Sequence, residues 1–213
     1  MARPSTGSPT TLAPGSSATP AQRGRPRDPA ADRAILTAAF SQLVEVGYGG
    51  LSIEAVAQAA GVGKTTIYRR WPAKRDLVMA ALGVGTTLAP PRLDVDSRTA
   101  LELLVRQAIA TLVDSGAIRI LGSLLVEESR EPGLLDAFRR RILDPRRGLV
   151  EAMLRAGVER GEIRPDIDPL VVTEMVAGAV VGHHAILGMT ATDAWVEALV
   201  EHVWTAIAAP ATA

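Results

Sequence analysis

The sequence predicts an all-α protein, in which an N-terminal helix-turn-helix domain of three helices precedes a C-terminal helical domain, about nine helices in all. Two observations carry this. Apolar residues recur at three- and four-residue spacing almost throughout, and no stretch shows a convincing strand alternation. Residues 52–71, SIEAVAQAAGVGKTTIYRRW, read as two short helices joined by a tight glycine turn.

Three bounds are expected, at 1–27, 28–82 and 83–213. Residues 1–27 are rich in Pro, Ser, Thr, Gly and Ala and hold almost no large apolar side chain. Such a composition cannot offset ordering entropy, so a disordered arm is expected. Arg23, Arg25 and Arg27 form a basic cluster at its end. Arg25 and its neighbours are either a solvated tail or an arm reaching phosphates or the minor groove.

The first helix is expected from Asp28–Pro29 to Val46. Asp28 suits its N-cap and Pro29 its first turn. Leu36, Phe40, Leu43 and Val44 make its apolar stripe, and Gly47 ends it. Ser52 caps the next helix, with Glu54 favourable in its first turn. Ala57 is small enough for a steep helix crossing, Gly61 tolerates a positive φ in the turn, and Ile67 anchors the second helix to the core. Pro72 opens a fourth helix through Leu82.

A phosphate-binding loop is the rival reading of Gly61-Val62-Gly63-Lys64-Thr65. That loop needs a glycine at position 58, where Gln58 stands, and a preceding buried strand. Ile53, Val56, Ala57 and Ala60 recur at helical spacing instead.

Gly, Pro and Thr over 83–96 mark a connection. Helices follow over 98–114, 118–128 and 134–160, the last bent or split at Pro145. Asp168 caps and Pro169 starts a long apolar helix to about Met189. A final helix over 194–208 places Trp195, Leu199, Val203 and Ile207 on one side. Glu174, His183 and His184 interrupt residues 170–189, so a buried soluble helix is expected there and no membrane span.

The 213 residues include no cysteine, which excludes a disulfide framework and thiolate chemistry. The N-terminus has no apolar signal core, and a cytoplasmic location is expected. Net charge is zero but unevenly spread: residues 1–82 carry 10 Lys+Arg against 5 Asp+Glu, and residues 83–213 carry 13 against 18. The positive excess coincides with the helix-turn-helix, as a phosphate-binding surface requires.

On the second helix of that motif, Lys64, Thr65 and Thr66 lie at the N-terminal end, which meets the groove floor. Lys64 is placed to donate to guanine, and the threonine methyls to touch thymine. Tyr68 lies one turn beyond Lys64. Successive helical residues differ by about 100°, so Arg69 and Arg70 cannot both face DNA, and Arg69 is favoured. The Ser52 hydroxyl either contacts phosphate or only caps its helix.

Phe40, Val46-Gly47-Tyr48, Ser52, Ile53, Val56-Ala57, Ala60-Gly61-Val62, Lys64, Thr66-Ile67-Tyr68, Trp71-Pro72, Lys74 and Leu77 together resemble the DNA-binding domain of the tetracycline-repressor (TetR) family. The match spans about residues 28–82. Arg69-Arg70-Trp71 departs from the aromatic ending usual in that family. The resemblance implies that Tyr68 and Lys74 contact DNA. It also implies a homodimer on a pseudo-palindromic double-stranded operator, released by a small-molecule effector. It implies further that the 170–189 and last helices pair across a two-fold axis, with Val180, His184, Trp195 and Leu199 at the interface. Leu125, Phe138, Met153 and Met175 are then candidate effector contacts.

Enzymatic activity is not expected. Glu127, Glu128, Arg139, Arg140 and Arg141 read as solvated helix faces, and no nucleophile–base set is suggested. No cofactor is implied. His183 and His184 are adjacent and lack the i,i+4 partner a metal would want. The alternative from another class is a helical ligand- or partner-binding dimer without DNA-binding activity.

Overall fold

Helix α1 (Pro29–Gly50) starts where the Asp28 carboxylate accepts the Ala30 amide at 2.9 Å. The computed structural model describes residues 28–86 and 89–210. Arg25 and the rest of the expected arm lie outside the described residues. Ile35, Ala39 and Leu43 are fully buried, whereas Leu36, Phe40 and Val44 are partly so. The centre of the buried stripe therefore lies one residue earlier than the sequence suggests. Gly47, at φ +70°, breaks the helical path, so the last turn runs in a new direction. A side chain there would collide with Ser123 as well as strain the backbone.

Helix α2 (Ile53–Ala59) is capped by Ser52, whose hydroxyl accepts the Ala55 amide. Gly61, at φ +66°, closes it: its amide donates to the Gln58 carbonyl and the Val62 amide to the Ala57 carbonyl. This paired closure is the Schellman arrangement, which requires a left-handed residue at that point. Helix α3 (Lys64–Tyr68) follows. Helix α4 (Lys74–Gly85) begins two residues later than Pro72, which lies outside it. Ala73 is extended there, and its amide is held by the Asp76 carboxylate at 3.2 Å.

Helix α5 (Ser97–Ile109) is capped by Asp96 and widens into a π-helical turn over Ala110–Asp114. Helix α6 (Ala117–Glu127) comes next. Helix α7 (Leu134–Phe138), a π-helical turn (Arg139–Leu143) and helix α8 (Asp144–Glu159) form one rod. Pro145 lacks the amide a regular turn needs, and the wide turn directly ahead of it accommodates this without a break. Helix α9 (Pro169–Val181), capped by Asp168, ends in a π-helical turn over Gly182–Ile186. Helix α10 (Asp193–Ile207) is capped by Thr192. With the π-helical turns counted into their rods, the described residues form nine helical rods and no strand beyond an isolated bridge between Ile163 and Ala208. The fold is all-α.

Two apolar cores result. The first joins Ile35, Leu43, Val56, Ile67, Leu77 and Leu82 of α1–α4 to Ile120 and Leu124 of α6 and Leu134 and Phe138 of α7. The second unites α5, α8, α9 and α10 through Leu101, Val105, Met153, Val172, Val176, Val200 and Val203. The helix-turn-helix thus shares its core with α6 and α7. A hydrogen bond from the Tyr48 amide to the Ser123 hydroxyl (3.0 Å) reinforces that seam, as does one from the Tyr48 hydroxyl to Glu131 (2.5 Å).

Residues Pro169–Ile186 are long and apolar enough to cross a membrane, with mean hydropathy 1.3. Here they pack on α5, α8 and α10, and 22% of the segment is buried within the chain.

Candidate nucleic-acid interface

Helix α3 has one face fixed and one face free. Ile67 has no exposed surface, and Ala57 beneath the crossing is 4% exposed. Burying a side chain the size of Ile67 contributes about 1.5–3 kcal/mol, enough to set the rotation of a five-residue helix that propensity alone would not sustain. With Ile67 inward, Lys64, Thr65, Tyr68 and Arg69 project outward and are exposed, and Thr66 is half-buried. Tyr68 keeps 49% of its surface accessible.

Arg70 is turned away from this rim. Its Nε lies 2.5 Å from Asp32 of α1, and its side chain is 12% exposed. Of the two adjacent arginines, Arg69 is the one left facing outward.

Lys64 has a partner that the sequence reading passed over. Its ammonium donates to the Glu54 carboxylate at 2.6 Å, and the Ser52 hydroxyl donates to the other oxygen of Glu54 at 3.3 Å. The hydrogen bond to Lys64 holds Glu54 below the usual carboxylate range, and the same bond raises Lys64. Both groups are exposed, so the pair exchanges readily with water or an incoming phosphate. The only sequence signal for it was an acid in the first turn of α2, which also suits the helix dipole.

Lys74 is half-buried. Its Nζ donates to the Gly49 carbonyl at 3.3 Å and sits 4.8 Å from the centre of the Tyr48 ring. Burial lowers its pKa, and the nearby Glu127 and Glu131 oppose that shift. Lys74 therefore braces the end of α1 at the rim of the motif. Ser52, Lys64, Thr65, Thr66, Tyr68, Arg69 and Lys74 all belong to one continuous stretch around α2, α3 and the start of α4.

The expected effector contacts do not converge. Leu125 is 57% exposed on the outer side of α6, Phe138 belongs to the first core, and Met153 and Met175 belong to the second. At the expected dimer face, Val180 is 1% exposed within its own chain, so it is not available to a second copy. It continues the inward stripe of Val172 and Val176 at four-residue spacing. Outward apolar surface lies instead at Leu170 and Val171 at the start of α9, and at Ile186, Leu187 and Met189 at and just past the end of its π-helical turn. His184 and Leu199 are half-buried. Trp195 stacks on His183 with ring centroids 4.1 Å apart, and His183 Nε2 lies 3.2 Å from the Thr190 carbonyl. Among the described residues no group of three or more His, Asp or Glu is disposed to hold a metal.

Comparison with known proteins agrees with this architecture. Residues 35–81 match the bacterial regulatory proteins, tetR family, and residues 95–203 match the tetracyclin repressor-like C-terminal domain. The chain is 33% identical over 188 residues to the uncharacterized HTH-type transcriptional regulator Rv1556 of Mycobacterium tuberculosis, covering 84% of this chain and 90% of that one. It is 32% identical over 176 residues to the DNA-binding transcriptional repressor TetR of Mycobacteroides abscessus, covering 80% and 90%. Among solved structures, the TetR family transcription regulator SCO0332 superposes with a TM-score of 0.63 at 30% identity, covering 82% of this chain and 97% of that one. Two family domains in the right order, on a fold whose recognition helix is exposed and basic, establish that the chain is a DNA-binding transcriptional regulator and belongs to the TetR family.

Proposed function

We propose that the protein is a cytoplasmic repressor that grips a pseudo-palindromic operator as a homodimer and lets go when a small molecule binds its C-terminal half. The observation that carries the reading is the division of α3 into a locked face at Ile67 and a free face of Lys64, Thr65, Tyr68 and Arg69. Lys64 and Arg69 offer donors to guanine and phosphate, Thr65 offers a methyl to thymine, and Tyr68 offers a hydroxyl to a phosphate. Lys64 has to exchange Glu54 for the nucleic acid, which favours an operator that supplies a strong acceptor where Lys64 lands.

The outer apolar surface of α9 supports the dimer. Leu170 and Val171 at the start of α9 and Ile186 and Leu187 beyond its far end lie open, with the exposed Glu174 between them, and such open apolar groups ask for a second covering layer. Two recognition helices about 34–36 Å apart then reach successive major grooves. A small molecule that stabilises another separation withdraws the binding-competent form.

Selection of bound duplexes from a random pool tests this. Inverted repeats with half-site centres about 10–10.5 base pairs apart, or a multiple of that, retained by two chains per duplex, are the expected result. Recovery of unrelated duplexes, or of single half-sites by single chains, would contradict it.

A further inference from the structure

Arg146, near the start of α8, is a partly buried cation without an anion. One of its terminal nitrogens, Nη2, donates to the Thr86 carbonyl at 2.7 Å and also bonds the Thr86 hydroxyl. Among the described residues its Nε and Nη1 have no acceptor and no carboxylate pairs with it. Burial alone acts on its pKa, lowering it. A guanidinium in such a place normally recruits a carboxylate, because a buried charge left uncompensated is costly. Every Asp and Glu of the chain lies within residues 28–210, and none has been recruited.

The space beside it has the form of a small subsite. A cleft of about 240 Å³ separates the end of α4 from the α7–α8 rod, lined by Thr86, Arg141, Ile142, Pro145, Arg146 and Leu149. Arg141, one turn before Pro145, adds a second cation that forms no ion pair among the described residues. Ile142 and Leu149 supply apolar wall. At about 30 Å³ per water this volume suits a body of roughly eight heavy atoms. Cation on one side and hydrocarbon on the other select an amphiphilic anion.

We propose that this cleft binds a small organic monocarboxylate, with its carboxylate on Arg146, secondarily on Arg141, and its apolar body against Ile142, Pro145 and Leu149. The planar fork of Arg146 has two donors on Nη1 and one on Nε to offer such a group. Binding there also touches the DNA-binding half. Arg146 secures the last turn of α4 through Thr86, and α4 begins at Lys74, beside the recognition helix. A carboxylate competing for the same guanidinium loosens that attachment. This deepens the proposed release by a small molecule and rests on it for the effect on DNA, but not for the site itself.

Calorimetric titration of the full chain with hexanoate and with benzoate, against hexan-1-ol and benzyl alcohol, tests the site. The carboxylates are expected to bind at least ten-fold more tightly than the alcohols. Arg146→Met should abolish that preference, and Arg141→Gln should reduce it about three-fold. Because Arg146→Met also removes the Thr86 contact, Arg146→Lys serves as the fold-preserving variant: its melting temperature should stay near wild type while the preference drops at least three-fold. No binding of either carboxylate at 10 mM, equal binding of acid and alcohol (conditions set on the order of the millimolar affinities expected of fragments), or an unchanged preference in both Arg146 variants would overturn the proposal. Fluorescence anisotropy with a selected operator then separates the two readings. A bound carboxylate should weaken operator affinity at least five-fold. Carboxylate binding with these signatures and unchanged operator affinity would support the site and overturn the release mechanism instead.

Discussion

Lys64 is aimed by Glu54, ten positions away, whereas Arg146 is aimed by Thr86, sixty positions away. The contrast holds across the two regions. In residues 52–74 the Ser52 cap, the Gly61 turn and the Ile67 anchor are local devices, and together they orient every exposed group of α3. In the C-terminal half several groups are also positioned across the chain: the Ser97 amide by Glu162, the Ser97 hydroxyl by Arg160, and Arg106 by Asp193 as well as by the local Glu102. The local devices fix the surface presented to DNA, while the core shared with α6 and α7 ties that surface to the C-terminal half. A unit held by long-range contacts moves when one of them is exchanged, which suits a module that must answer a ligand.

The largest way to break this contrast is to remove the local anchor. Ile67→Ala should cost about 2–5 kcal/mol in denaturant unfolding and abolish operator binding with it, since a fully buried side chain leaves a cavity. A loss below about 1 kcal/mol would show that α3 takes its orientation from elsewhere. Next in size, Lys64→Ala should weaken operator binding about ten-fold or more, as loss of a base contact worth about 1–3 kcal/mol implies, with the melting temperature unchanged. Tyr68→Phe should weaken it less, again at constant melting temperature. A drop in melting temperature parallel to the affinity loss would place these side chains in the structural framework. The smallest effect sharpens the account. Glu54→Gln removes the carboxylate competing for Lys64, so affinity for operator and for random duplex should both rise a few-fold. Unchanged anisotropy titrations would mean that Lys64 meets DNA with Glu54 still attached.

Much of the fold was legible because its signals are local. Asp28, Ser52, Asp168 and the Gly61 turn do what their positions suggest, and the helix ends fall within a few residues of expectation. The α3 surface was legible for the same reason, since one buried residue in a short helix determines where the others point. The rest failed on rotation and distance. Helix α9 has valines both inward and outward, and Glu174 alone marks its exposed side, so the inward Val180 was not separated from the outward Val171. Leu125 shares helix α6 with Leu124, which is fully buried, and adjacent residues differ by about 100°. The Glu54–Lys64 pair bridges two helices, and Arg146 meets the end of α4, contacts that no spacing within one helix announces.

The central claim is that the free face of α3 lies in the major groove. Dimethyl sulfate footprinting on a selected operator tests it directly, because the reagent methylates guanine N7 in the major groove and adenine N3 in the minor. The account predicts two patches of protected guanine N7, centred about 10–10.5 base pairs apart or a multiple of that, and both lost with Lys64→Ala. Protection confined to adenine N3, or guanine protection indifferent to Lys64, would contradict it.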